Sequence, residues 1–262
     1  MSVSERHGPS VEIYCSSVTA PIWDSPIDAF EFNNKKVVVL LLSTNELGPH
    51  FESCARLLDN IERIKAERFY RSVDRNRYVL SRAILKLFAG KYLKKSPLEI
   101  EVVDGENKKP TIKGNSDFHF NISHSGNNSI IVINDDEIGV DIEELDPSFN
   151  YLEIMGGVFS KAEIEAVLNA NVPINVFYNL WTRKEALIKA TAKGIDEDFR
   201  LFTCLDGQHT LNGHLIGTGL DWMIETFDIP NNIICSLAFR SNIANSPHFL
   251  RINNRFLETL LH

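Results

Sequence analysis

Phe177-Tyr178-Asn179-Leu180-Trp181-Thr182-Arg183-Lys184-Glu185-Ala186-Leu187-Ile188-Lys189-Ala190 carries its apolar side chains (Phe177, Leu180, Trp181, Leu187, Ile188) at three- to four-residue steps. That is the period of an amphipathic helix. Asn171 and Pro173 supply start signals and Lys193-Gly194 a stop signal. Glu185 and Lys189 stand four apart, glutamate first, so they share a face in the order that suits an ion pair. Trp181 lies one turn earlier on nearly the same side. Alone, the stretch is compatible with a core helix bearing one solvated ion pair.

A second stretch adds chemistry to that face. Gly139-Val140-Asp141-Ile142-Glu143 follows the β-rich run Ser129-Ile130-Ile131-Val132-Ile133 and a short acidic turn. Alternate residues of a strand project to one side, so Asp141 and Glu143 point together, roughly 7 Å apart along the backbone. Two such carboxylates facing a third on a helix suit Mg²⁺, which takes few protein oxygens and keeps room for water and phosphate.

Composition narrows the field. A chain of 262 residues accommodates one large domain or two ordinary ones, and 44% hydrophobic with 24% charged residues is globular. Cys15, Cys54, Cys204 and Cys235 are widely spaced and lack metal-binding spacing, so they read as reduced, core-packed thiols of a cytoplasmic protein. The polar N-terminus lacks the apolar stretch of a signal peptide, and the apolar run Val37 to Leu42 is too short to span a bilayer. Net charge of −8 argues against nucleic-acid binding. Residues 61–113, however, hold fourteen Lys/Arg against seven Asp/Glu, a local +7 within an otherwise acidic chain. Such a segment suits a polyanionic small ligand.

In chain order, residues 1–36 hold three of the ten prolines and read as an extension wrapped on the surface. Val37 to Leu42 is a buried strand by composition. Helices are expected at 51–58, 61–70 and 77–93, the last carrying Arg77, Arg82 and Lys86. Strands are expected at 98–102, 118–122, 129–133, 199–205, 221–227 and 233–239. Ser160-Lys161-Ala162-Glu163 has the form of a capping box opening a helix to Leu168. The pattern divides the chain at 37–137 and 138–262. Ser81-Arg82-Ala83 and Thr182-Arg183-Lys184, 101 residues apart, give a faint internal echo of two related halves. The tail after Ser241 carries no signal.

Taken together, Phe120-Asn121-Ile122-Ser123-His124-Ser125, Gly139-Val140-Asp141-Ile142-Glu143, Phe159-Ser160 with Glu163, and Trp181-Thr182-Arg183-Lys184-Glu185-Ala186 with Lys189 occur in an order that resembles the 4′-phosphopantetheinyl transferases. The likeness is to the longer, Sfp-type class and runs from Val37 to Arg240. It implies an α+β fold of two pseudo-symmetric halves, each a small antiparallel sheet packed on a long helix, with coenzyme A in the cleft between them. It also implies a cytoplasmic monomer that moves the phosphopantetheine arm of coenzyme A to a serine of an acyl or peptidyl carrier protein, releasing 3′,5′-ADP. Asp141, Glu143 and Glu185 match the Mg²⁺ ligands, with Mn²⁺ as the other candidate ion. Lys189 matches the residue on the pyrophosphate. Ser123, His124 and Lys109 match phosphate contacts of the coenzyme, and Lys65 and Arg77 match basic positions on the N-terminal helices.

The residues also admit a metal-dependent phosphohydrolase, or a carrier-binding module without turnover. Whether Glu185 takes the serine proton directly or through a metal-bound water stays open at this level. Ala192-Lys193-Gly194 stands where the family has glycine-lysine-glycine; alanine tolerates positive φ poorly, so the helix is expected to run on towards Gly194. Gly156-Gly157-Val158 replaces basic residues before the Phe-Ser pair. Phe149, Tyr151, Leu152, Ile154 and Met155 form an apolar patch that reads as core or as a docking surface for the carrier.

Overall fold

A computed structural model describes residues 8–18, 20–24, 37–194, 197–241 and 247–262. Its strands are β1 (Ser10–Ser17), β2 (Val38–Ser43), β3 (Val102–Asp104), β4 (Pro110–Ile112), β5 (His119–Ser125) and β6 (Asn128–Asn134). They continue with β7 (Ile138–Glu144), β8 (Gly207–Asn212), β9 (Trp222–Ile229), β10 (Ile233–Arg240) and β11 (His248–Ile252). The helices are α1 (Thr44–Leu47), α2 (Phe51–Ala55), α3 (Asn60–Glu67) and α4 (Ser72–Leu93). After them come α5 (Leu152–Val158), α6 (Lys161–Leu168), α7 (Pro173–Thr191) and α8 (Asn254–Leu261). The chain divides into two units, one of Met1–Pro21 with Glu137–Ala244, the other of Ile22–Asp136 with Asn245–His262.

The first unit is a five-stranded sheet in the order β7-β10-β9-β1-β8, antiparallel except where β1 runs parallel to β9. Helix α7 lies on one face, its Ala186, Leu187 and Ala190 packed with Ile13, Ile224 and Ala238. Gly139 makes this closeness possible: a Cβ there would stand 2.1 Å from the Ala186 carbonyl oxygen and 2.4 Å from the Ala190 nitrogen. Only a residue without a side chain lets β7 touch the helix backbone.

The second unit is a four-stranded sheet in the order β11-β2-β6-β5, with β11 parallel to β2 and the other pairs antiparallel. Helix α4 buries Leu80, Ala83, Ile84 and Phe88 in a core shared with Leu40, Leu42 and Ile131. Strands β3 and β4 form a separate small ladder.

The two units share a plan. In each, one strand is followed by a short capped helix, a long helix and a hairpin, and the hairpin pairs antiparallel with the first strand: β2 with β6-β5, and β7 with β10-β9. The chain is thus α+β in two pseudo-symmetric halves, with different strands added at the margins.

Several local expectations change. Ser10–Ser17, expected in a surface extension, is an interior strand whose Val11, Ile13 and Cys15 are buried. The tail, silent in the sequence, forms β11 and α8 and joins the second unit. Residues 97–99 form a 3₁₀ turn capped by Ser96 and Glu99, so the strand begins only at Val102. Residues 199–205 form no strand; the carbonyls of Phe199, Phe202 and Cys204 accept from Lys184 and Arg183 instead. Helix α7 stops at Thr191, and Ala192 itself takes the left-handed conformation at φ 56°.

Candidate active site

Alternation along β7 turns Gly139, Asp141 and Glu143 towards α7, on which Glu185 and Lys189 sit one turn apart. The two elements meet at Asp141: Lys189 Nζ donates to Asp141 Oδ1 at 2.6 Å and lies 3.9 Å from Glu185 Oε2. Asp141 is 3% exposed and Glu185 9%. Burial raises the Glu185 carboxyl, Lys189 pulls it back, and Asp141 and Glu143 add to the rise, leaving it at about 7. Three carboxylates and one ammonium therefore act on one another, with Asp141 and Glu185 buried and Glu143 and Lys189 partly exposed.

Beneath this site a chain of buried hydroxyls pins the helix to the sheet. Arg183 Nε donates to Thr226 Oγ1 at 2.8 Å, and Ser236 Oγ lies 2.8 Å from both Thr226 Oγ1 and Thr182 Oγ1. Ser236 is the cross-strand partner of Asp141. Thr182 stands one helical turn before Glu185. The network therefore sets the height of α7 over β7, which sets the reach of Lys189.

The donor set is hard oxygen, the type Mg²⁺ prefers, and Lys189 is the cation these carboxylates hold in the structure. Among the described residues no three Asp, Glu, His or Cys side chains are already arranged to grip an ion. The acidic residues fit a divalent cation by chemistry and charge, without a preformed cage.

The second unit holds a cavity of about 220 Å³ lined by Lys65, Arg77, Tyr78, Arg82, Asn121 and His124, among others. Lys65 and Arg82 lie over the Tyr78 ring at 5.4 and 5.7 Å. Arg77 donates to the Gly126 carbonyl at 2.7 Å and pairs with Asp74. The cavity thus gathers three of the expected coenzyme-contacting residues, Lys65, Arg77 and His124. It does not gather the other three: Ser123 is buried on β5 and does not line it, Lys109 only precedes the lining Pro110, and Lys189 belongs to the other unit. Arg82, expected only as a basic residue of this helix, and Tyr78, not expected at the site, also line the cavity. The signal was there: Asp74, Arg77, Tyr78, Ser81 and Arg82 recur at helical steps and mark one face of α4.

An α+β chain with one plan used twice, an acidic site on a strand and helix of one unit and a basic cavity in the other, defines a narrow class of protein. Residues 137–238 match the family model of the 4′-phosphopantetheinyl transferase superfamily, and residues 46–135 match that of the 4′-phosphopantetheinyl transferase N-terminal region. The 4′-phosphopantetheinyl transferase psf-1 of Bacillus pumilus is 35% identical over 156 residues, covering 57% of this chain and 66% of that protein. The 4′-phosphopantetheinyl transferase Sfp of Bacillus subtilis is 34% identical over 152 residues, covering 56% and 67%. AcpT of Escherichia coli, also named as a 4′-phosphopantetheinyl transferase, is 35% identical over 119 residues, covering 44% and 57%. The chain belongs to the 4′-phosphopantetheinyl transferase superfamily and is of the Sfp type. Its matches span between 57% and 67% of the length of these relatives.

Proposed function

We propose that this protein transfers the 4′-phosphopantetheine group from coenzyme A to a serine hydroxyl of an apo acyl or peptidyl carrier protein. The observation that carries the reading is the contact of Lys189 Nζ with Asp141 Oδ1, with Glu185 beside both. In this reading Lys189 faces the pyrophosphate and offsets the negative charge that grows on the departing 3′,5′-ADP. Glu185 is the carboxylate placed to take the serine proton, directly or through a metal-bound water. General-base help of that kind contributes ~10²–10⁴-fold. Asp141, Glu143 and Glu185 would hold Mg²⁺, which when bound supplies electrostatic stabilisation to the phosphoryl oxygens. Lys65, Arg77 and His124 offer donors and charge to the coenzyme's phosphates, with Ser123 and Lys109 as further candidates.

The four cysteines are free and buried, which suits work in the reducing cytoplasm. No described helix is long and apolar enough to cross a membrane. With both halves in one chain, the protein is taken to act as a monomer. The test is product analysis: protein, coenzyme A and Mg²⁺ are incubated with and without an apo carrier, and nucleotides are separated by chromatography. The reading expects 3′,5′-ADP only when carrier is present. Release of phosphopantetheine without carrier would make the protein a hydrolase instead.

A further inference from the structure

Helices α5 and α6 follow one another in the chain but differ in what holds them. Helix α6 opens on the Ser160/Glu163 capping box and buries Glu163 and Val167. Helix α5 runs only from Leu152 to Val158, its N-cap Tyr151 makes no side-chain cap bond, and it buries no residue fully. Gly156 and Gly157 stand in its last turn, both exposed. Their surroundings do not require glycine. Neither takes a positive φ, and a Cβ on either would meet no atom within 4 Å among the described residues. Each glycine therefore weakens the helix relative to alanine without easing any close approach. The basic residues that the family resemblance places here are better helix formers, so the weakness is particular to this chain.

A short helix of this kind persists through tertiary contacts. Before α5, Leu145 N donates to the Asn232 carbonyl at 2.9 Å. After it, the buried Phe159 ring stands 5.3 Å from that of Phe177, and Lys184 Nζ donates to the Val158 carbonyl at 3.1 Å. Between these anchors Tyr151, Ile154 and Met155 rest, partly buried, against the cluster of Phe177 and Tyr178 on α7. Phe177 in turn stacks on Trp181 at 6.2 Å, and Trp181 lies one turn before Glu185. We infer that residues 146–158 form a flap, anchored at Leu145 and Phe159, that opens by local unfolding of α5, and that Gly156-Gly157 sets how often it opens. Elements with few buried contacts are the ones that open locally. Opening uncovers the Phe177–Trp181 row of α7, which leads to Glu185. On the transferase reading above, on which this half of the inference rests, the flap lifts in each turnover and its opening contributes to kcat.

The experiment follows amide hydrogen exchange in α5 and α6 for wild-type protein, Gly156→Ala, Gly157→Ala and the double variant. In the wild type α5 should exchange faster than α6 by about tenfold or more. The double variant should slow α5 exchange about tenfold and each single variant about threefold, with α6 unchanged. The denaturation midpoint should rise, whereas a glycine required by the fold would lower it on replacement. With an apo carrier, kcat should fall about threefold or more in the double variant while the KM for coenzyme A stays within about twofold. An α5 as protected as α6 in the wild type, or exchange unchanged in the double variant, overturns the flap. Slower exchange with an unchanged kcat overturns its part in turnover. A raised carrier KM with unchanged exchange also overturns the inference, because the glycines would then serve close approach of a partner. Wild-type protein that modifies no carrier, yet exchanges as expected, upholds the flap and sinks the transferase reading.

Discussion

Glu62 and Glu163 occupy the same place in the two units, 101 residues apart in sequence. Each is the third residue of a short helix, closes a capping box with Asp59 or Ser160, and is buried against a lysine of the long helix that follows. Lys86 Nζ lies 3.0 Å from Glu62 Oε2, and Lys184 Nζ lies 2.8 Å from Glu163 Oε2. The environments differ. Glu62 also has Arg82 at 3.4 Å, whereas the three donors of Lys184 are shared between Glu163 and the carbonyls of Val158, Phe199 and Phe202, among the rings of Phe159, Phe199 and Phe202.

Removing one partner of such a pair leaves a charge buried without its counterion, which costs about 3–5 kcal/mol. Lys184→Met should therefore destabilise the protein by an amount in that range, measured by chemical denaturation. Lys86→Met should cost less, because Arg82 remains near Glu62. Equal losses would mean that the second cation contributes nothing.

Gly139→Ala places a methyl group inside the backbone of α7. The helix must lift away from β7, costing about 3 kcal/mol or more and breaking the Lys189–Asp141 contact. Thermal unfolding and transfer rate should fall together. A variant with wild-type stability would show that the strand and helix are not this close.

Ala192 closes α7 in a conformation that L-residues enter at a cost of about 1–2 kcal/mol. Ala192→Gly relieves it, less the entropy glycine loses on folding. The expected gain is about 0.5–1 kcal/mol, read from the denaturation midpoint. A loss would place the helix end elsewhere.

In metal-free protein Glu185 titrates near 7 when folded, against an ordinary 4.5. Between those values the folded state holds more protons than the unfolded, so stability falls as pH rises from about 4.5 to 7 and the full cost persists above. A shift of that size corresponds to roughly 3 kcal/mol. Glu185→Gln should flatten this part of the stability profile, and saturating Mg²⁺ should do the same in the native chain. A slope unchanged in Glu185→Gln would assign the titration to another group.

The long helix and the Asp141 strand were legible because their periodicities are strong and their polar residues fall on the buried face. Ser123 adjoins His124 in the motif, but it is buried while His124 lines the cavity, and that difference is not visible in the sequence. Strand β1 carries visible alternation at Val11, Ile13 and Cys15, yet its partners β8 and β9 lie some two hundred residues away, so nothing local announces it. Residues 199–205 have strand composition, but two buried cations of α7 claim their carbonyls, a tertiary demand no local propensity contains. The Thr182–Ser236–Thr226 chain was hidden for the same reason.

The account stands most directly on the mass of an apo carrier after incubation with coenzyme A and Mg²⁺, measured for wild-type protein and for Asp141→Asn and Lys189→Met. It predicts one phosphopantetheine added per carrier by the wild type, and none over the same time by either variant, each still folded. A carrier modified at near wild-type rate by Asp141→Asn or by Lys189→Met, or never modified by wild-type protein across a panel of carriers, would contradict it.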